Sequence, residues 1–128
     1  MNKKILISGS IFGMFAIILG AFGAHALKKM LSVDQLNSFE TGVKYLMYHS
    51  FLLLFLGSTN SILESSKKTI FYLIILGTLS FSGSIFLLST IPITNINFKP
   101  IGFITPIGGI LLITAWFTIL LKIAKSKL

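Results

Sequence analysis

Long apolar runs alternate with short polar breaks along this chain, and that rhythm divides it before any residue is considered singly. Residues 5–24 form an uncharged run which, at 1.5 Å per residue, extends roughly 30 Å, the thickness of a bilayer's hydrocarbon core. Further apolar runs at 45–63, 69–90 and 101–121 are each long enough for a crossing. The pattern predicts an all-α protein, an integral membrane four-helix bundle built as one domain over 1–128. The first run, with Lys3 and Lys4 before it and Ala24-His25-Ala26 after it, also imitates a cleavable secretory signal. It is longer than a usual signal core, so a retained span is the expectation.

The polar breaks carry their own signals. Ser32-Val33-Asp34-Gln35 has the form of a capping box, a serine cap with a glutamine three residues on, and predicts a helix start. Val33, Leu36, Phe39 and Val43 then recur at helical spacing. This predicts a short amphipathic interfacial helix at about 33–44 between spans one and two, with Gly42 as the bend into the membrane. In the last span Pro106 reads as the first residue of a helix capped by Thr105. Small residues mark the expected helix contacts: Gly9, Gly13, Gly20 and Gly23 in span one, with Ala16 and Ala24 beside them; Ser82, Gly83 and Ser84 in span three; Pro106, Gly108 and Gly109 in span four.

Composition strengthens the membrane reading, because 54% of the residues are hydrophobic and only 11% charged, far from a soluble protein's balance. The net charge of +8 comes from lysines that sit at the ends of the apolar runs. A nucleic-acid binder would gather them on a soluble face, so nucleic acid is excluded as a partner. Four crossings place Lys3, Lys4, Lys67, Lys68, Lys122, Lys125 and Lys127 on one side and Lys28, Lys29, Lys44 and Lys99 on the other. That asymmetry predicts both termini in the cytoplasm. Cysteine is absent, which removes disulfides, thiol chemistry and thiolate metal sites.

Candidate chemistry concentrates where span two begins. At about 100° per residue, Glu40, Thr41, Lys44, Tyr45, Tyr48 and His49 fall along one half-turn arc that slides into the apolar run after it. Polar groups at such depth face protein or water. His25 closes span one as His49 opens span two, so a pocket of His25, Glu40, Lys44, Tyr45, Tyr48 and His49 near the outer face is predicted, with Glu40 paired to Lys44 four residues on. Neutral imidazole can hold a proton or a metal, but two histidines lack the third protein ligand a zinc site needs unless Glu40 joins them. Two histidines could also ligate haem, yet both lie near one interface and nothing else marks a haem site. No cofactor and no metal is therefore assigned, and no nucleophile with an activating partner is evident.

Four ordered segments carry a resemblance: residues 20–26 (Gly-Ala-Phe-Gly-Ala-His-Ala), 39–49 with Met47-Tyr48-His49 at the end, 81–84 (Phe-Ser-Gly-Ser), and Thr105-Pro106-Ile107-Gly108-Gly109 followed by Ala115-Trp116. Together they resemble the YgdD/YwdK-like family of small bacterial membrane proteins, a family of unknown function related to animal transmembrane protein 256. The resemblance covers nearly the whole chain and implies a four-span protein of the bacterial cytoplasmic membrane. It brings no established activity, substrate or cofactor. Where relatives often carry Tyr-Gln before Met-Tyr-His, this chain has Tyr45-Leu46.

Two functions follow from these features. Small loops and small-residue faces suit a structural or accessory bundle that lies in the lipid bilayer and either oligomerises or binds a larger membrane partner. The polar pocket suits a transporter or proton-handling protein, which would further need a water path through the cytoplasmic half.

Overall fold

Ser32 accepts a hydrogen bond from the Gln35 amide at 3.2 Å, and its own amide donates to the Gln35 side chain at 3.0 Å. The capping box is thus closed, and a single 26-residue helix runs from it. The computed structural model describes residues 1–127, and among them every regular element is helical. The order is α1 (Asn2–His25), α2 (Val33–Ser58), α3 (Glu64–Ser89), the single turn α4 (Ile91–Thr94) and α5 (Ile104–Lys125), with 3-10 turns at Leu27–Lys29 and Lys99–Ile101.

Two expectations change here. The interfacial helix expected at 33–44 is not a separate element, since α2 continues through it without interruption. No proline or competing cap breaks the ladder there, and Gly42 serves contact instead of a bend, buried against Ile85 and Phe86 of α3. Nor does Thr105 cap the last helix: α5 starts after Phe103, and Thr105 and Pro106 both lie in its first turn. The missing N–H of Pro106 falls where no intrahelical acceptor exists, so the proline imposes no kink.

Short connections make the long helices antiparallel neighbours: α1 packs along α2, α2 along α3, and α3 along α5. The interior pair is therefore α2 and α3, with α1 and α5 as flanks. Three stretches, Asn2–Lys29, Glu64–Ser89 and Lys99–Lys125, are long and apolar enough to cross a membrane. The remaining long helix, α2, matches α3 in length but dilutes its apolar residues with Lys44, Tyr45, Tyr48, His49 and Ser50.

The main apolar core joins Ile5 of α1, Leu53 and Leu56 of α2, Ile70 and Ile74 of α3, and Ala115 and Ile119 of α5. A second cluster of Leu27, Leu31 and Phe39 pins the α1–α2 connection, and the Phe39 and Phe86 rings meet at 5.0 Å between centroids.

Small residues set the approach distances. On α1, Gly9, Gly13, Gly20 and Gly23 face Leu53, Ser50, Val43 and Phe39 of α2, and Ala16 is buried on the same helix. The spacing of four and three residues is the rhythm of two helices paired along one seam. A Cβ on Gly9 would stand 3.0 Å from the Ser50 carbonyl, and one on Gly108 would meet the Phe81 backbone. Ser82 bonds across to α2, and Ser84 pairs with Thr105 at 2.5 Å. Three expected packing residues do not pack closely: a Cβ on Gly83 would find nothing within 4 Å, one on Gly109 would make only ordinary contact at 3.8 Å, and Pro106 is exposed. Ala24 likewise points outward, one residue past the seam.

Candidate functional site

The buried face of α2 runs through Phe39, Gly42, Leu46, His49, Leu53 and Leu56, at the three- and four-residue steps of one helical stripe. His49 belongs to it and is 3% exposed. Glu40 lies nine residues earlier, about 900° around the helix, and so faces roughly the opposite way. The half-turn polar arc is wider than one helix contact, and packing splits it. His49 turns inward to Trp116 of α5, and Tyr45, itself partly exposed, lays its ring against Phe81 of α3, whereas Glu40, Lys44 and Tyr48 stand outside these contacts.

The six predicted pocket residues do not converge. Gly23 of α1 packs on Phe39, and His49 is ten residues beyond Phe39 along α2, about 15 Å deeper. His25, two residues past Gly23 and about 200° around α1, is exposed and points away from α2. Among the described residues no hydrogen bond or ion pair links Glu40 to Lys44. These two do line a cavity of about 240 Å³ between α1 and α2, together with Gly20, Gly23, Phe39 and Val43. Neither histidine reaches it, and His25, Glu40 and His49 form no metal-sized group among the described residues.

A different constellation forms around His49. Its Nδ1 lies 2.7 Å from the Tyr45 carbonyl, and its Nε2 lies 3.1 Å from the indole Nε1 of Trp116 on α5. A carbonyl only accepts and an indole N–H only donates. The ring is therefore neutral, with the proton on Nδ1 and the lone pair of Nε2 facing Trp116. Tyr45 completes the group, its ring stacked on His49 at 6.3 Å and tilted against Phe81 of α3 at 4.7 Å. The sequence marks His49 and Tyr45 for the pocket but not Trp116. Its depth within the last span was the available signal, since a buried indole N–H seeks an acceptor.

Two serines extend this polar seam. Ser50 donates to the Gly9 carbonyl at 2.6 Å and Ser82 to the Gly42 carbonyl at 2.8 Å. Both acceptors belong to glycines, whose missing side chains let a neighbouring helix come close enough to reach the backbone. Thr78, 1% exposed, is the buried hydroxyl without a partner among the described residues.

At the other end of the bundle Lys67 is 1% exposed, a placement its position beside Lys68 in sequence does not announce. Its ammonium donates to Asn2 Oδ1 at 3.0 Å and to the Thr59 carbonyl at 2.5 Å, with a Glu64 carboxylate oxygen at 4.0 Å. One cation thus ties the start of α1, the end of α2 and the start of α3, and it sits where the α2 dipole is negative.

Comparison with known proteins adds the family. The model for "Protein of unknown function (DUF423)" matches residues 19–109. The UPF0382 membrane protein YwdK of Bacillus subtilis is 37% identical over 126 residues, covering 96% of this chain and 98% of that one. A UPF0382 membrane protein of Haemophilus influenzae is 33% identical over 129 residues, 99% of this chain and 98% of the relative. The UPF0382 inner membrane protein YgdD of Escherichia coli is 29% identical over 130 residues, with 98% and 93% covered. No solved structure matches the chain. With apolar helices, the four sequence segments and matches over nearly its full length, the chain belongs to the DUF423 family of membrane proteins of unknown function.

Proposed function

We propose that the chain crosses the bacterial cytoplasmic membrane four times, with both termini in the cytoplasm, and acts as a structural or accessory bundle for a second copy or a larger membrane protein. The observation that carries this reading is the saturation of His49. At mid-depth both of its ring nitrogens are engaged by Tyr45 and Trp116, leaving no lone pair or N–H for a passing proton or solute. A bundle whose polar groups bond to one another is held together by them, as polar side chains between membrane helices commonly do. Supporting a crossing by α2 are its 26 residues, equal to α3, and the burial of its polar stripe between neighbours. The lysine asymmetry supports the orientation.

The natural chain has no cysteine, so single cysteines report cleanly. Met30→Cys and Asn95→Cys are expected to react with a membrane-impermeant maleimide in intact cells, and Asn60→Cys and Lys127→Cys only after permeabilisation. Labelling of Asn60→Cys from outside would remove the crossing by α2. Proteoliposomes holding the wild-type chain are expected to leak protons no faster than empty vesicles, and a faster leak would replace the scaffold with a conduit.

A further inference from the structure

We infer that the cytoplasmic end of the bundle carries a binding groove for a phosphate group, of the kind an anionic lipid presents in its headgroup. A cavity of about 680 Å³ lies between the α2–α3 connection, the first turn of α3 and the end of α5. Lys122, Lys125 and Lys127 line it from one side, and Asn60, Ser61 and Ser66 from the other. Among the described residues no acid lines it. Glu64, the carboxylate closest in sequence, is held 4.0 Å from the buried Lys67. Among the described residues none of the three groove lysines has an ion-pair partner.

Three cations lining one groove repel one another, and a ligand of opposite charge relieves that repulsion. The far wall supplies what a phosphate needs besides charge. Leu63 leaves α3 without a side-chain cap, so the first-turn amides of Glu64 and Ser65 keep their N–H groups open beside the Ser66 hydroxyl. Helix starts with open amides favour phosphate, and the amide of Asn60 adds a further donor. Lys122 and Lys125 close α5 where its dipole attracts cations, but Lys127 lies beyond the helix and gains nothing from that.

Placement favours the lipid source. The groove opens at the ends of α3 and α5, both apolar enough to cross a membrane, where headgroups lie. Leu63 on its rim is 77% exposed, an apolar neighbour for an acyl chain beside the cationic wall. This step rests on the membrane reading above.

The test uses the full chain in a non-ionic detergent, its thermal unfolding followed against phosphatidylglycerol, phosphatidylcholine and sodium phosphate at matched ionic strength. Phosphatidylglycerol is expected to raise the midpoint and phosphatidylcholine not to. The triple variant Lys122→Gln, Lys125→Gln, Lys127→Gln should need on the order of a hundredfold more phosphatidylglycerol for the same shift, since each lysine near a headgroup counts for several-fold. The charge-matched Lys3→Gln, Lys28→Gln, Lys29→Gln should stay within about threefold, because distant charges are screened. Ser66→Asp, which places a carboxylate in the groove and spares all three lysines, should weaken the response as well. A midpoint raised by sodium phosphate as strongly as by phosphatidylglycerol assigns the groove to a soluble phosphate. Equal losses in the two triple variants, or no response to either phosphate source, overturn the groove. A wild-type chain that fails to float with phosphatidylcholine vesicles overturns the membrane reading and the lipid source with it, and the phosphate arm then decides the groove alone.

Discussion

Trp116 donates its indole N–H to His49 across 3.1 Å, joining a ring that is 49% exposed on α5 to one that is almost wholly enclosed in α2. The main packing partner of α5 is α3, so this bond is a polar tie that joins the far flank of the bundle to α2.

Breaking that tie from either end has a distinct signature. Trp116→Phe keeps the ring but strands Nε2 of His49, and a buried acceptor left unpaired is expected to lower stability by about 1–3 kcal/mol. Detergent-solubilised thermal unfolding measures it. His49→Leu leaves the indole without an acceptor, and because Trp116 is the chain's single tryptophan its emission should move to the blue. Unchanged emission would mean that the hydrogen bond does not form in the protein.

Two glycines of similar appearance in sequence are expected to respond in opposite senses. Gly108→Ala drives a methyl group into the backbone of Phe81, which cannot move as a side-chain tip can, and overpacking of this sort lowers stability by about 1–3 kcal/mol or more. Gly83→Ala meets open space, and alanine in mid-helix is favoured over glycine by up to about 1 kcal/mol. Unfolding midpoints of the two variants should fall on either side of wild type.

Adjacent lysines separate in the same way. Lys67→Met strands Asn2 Oδ1 and the Thr59 carbonyl and removes the cation from the end of α2, for an expected loss of about 1–3 kcal/mol. Lys68→Met changes an exposed side chain and should stay within about 0.5 kcal/mol. Matched melting of the two would place Lys67 in solvent.

Much of this architecture could be read from residue pattern alone. The capping box at Ser32 and the small-residue seam of α1 are local signals, and the structure holds both, whereas the second apolar run lies in a helix that starts at Val33 and ends at Ser58. The polar stripe of α2 was visible as well, but a helical wheel does not say which part of a half-turn arc a neighbour will cover. Packing by α3 and α5 took Tyr45 and His49 and left Glu40 and Lys44 outside, dissolving the predicted pair. Trp116, Ser50 and Lys67 bond to residues forty or more positions away, and no local pattern specifies such partners.

The serine-to-glycine contacts of α2 bear on how the protein is made. Alone, α2 is the least apolar of the four long helices; its Ser50 hydroxyl bonds to a carbonyl of α1, and its Gly42 carbonyl takes a second donor, the Ser82 hydroxyl, from α3. Ribosomal synthesis delivers α1 first and α3 after a connection of merely five residues. On the four-span reading, α2 leaves the translocon as part of a hairpin, its passage into lipid licensed by partners on both sides instead of by its own hydropathy.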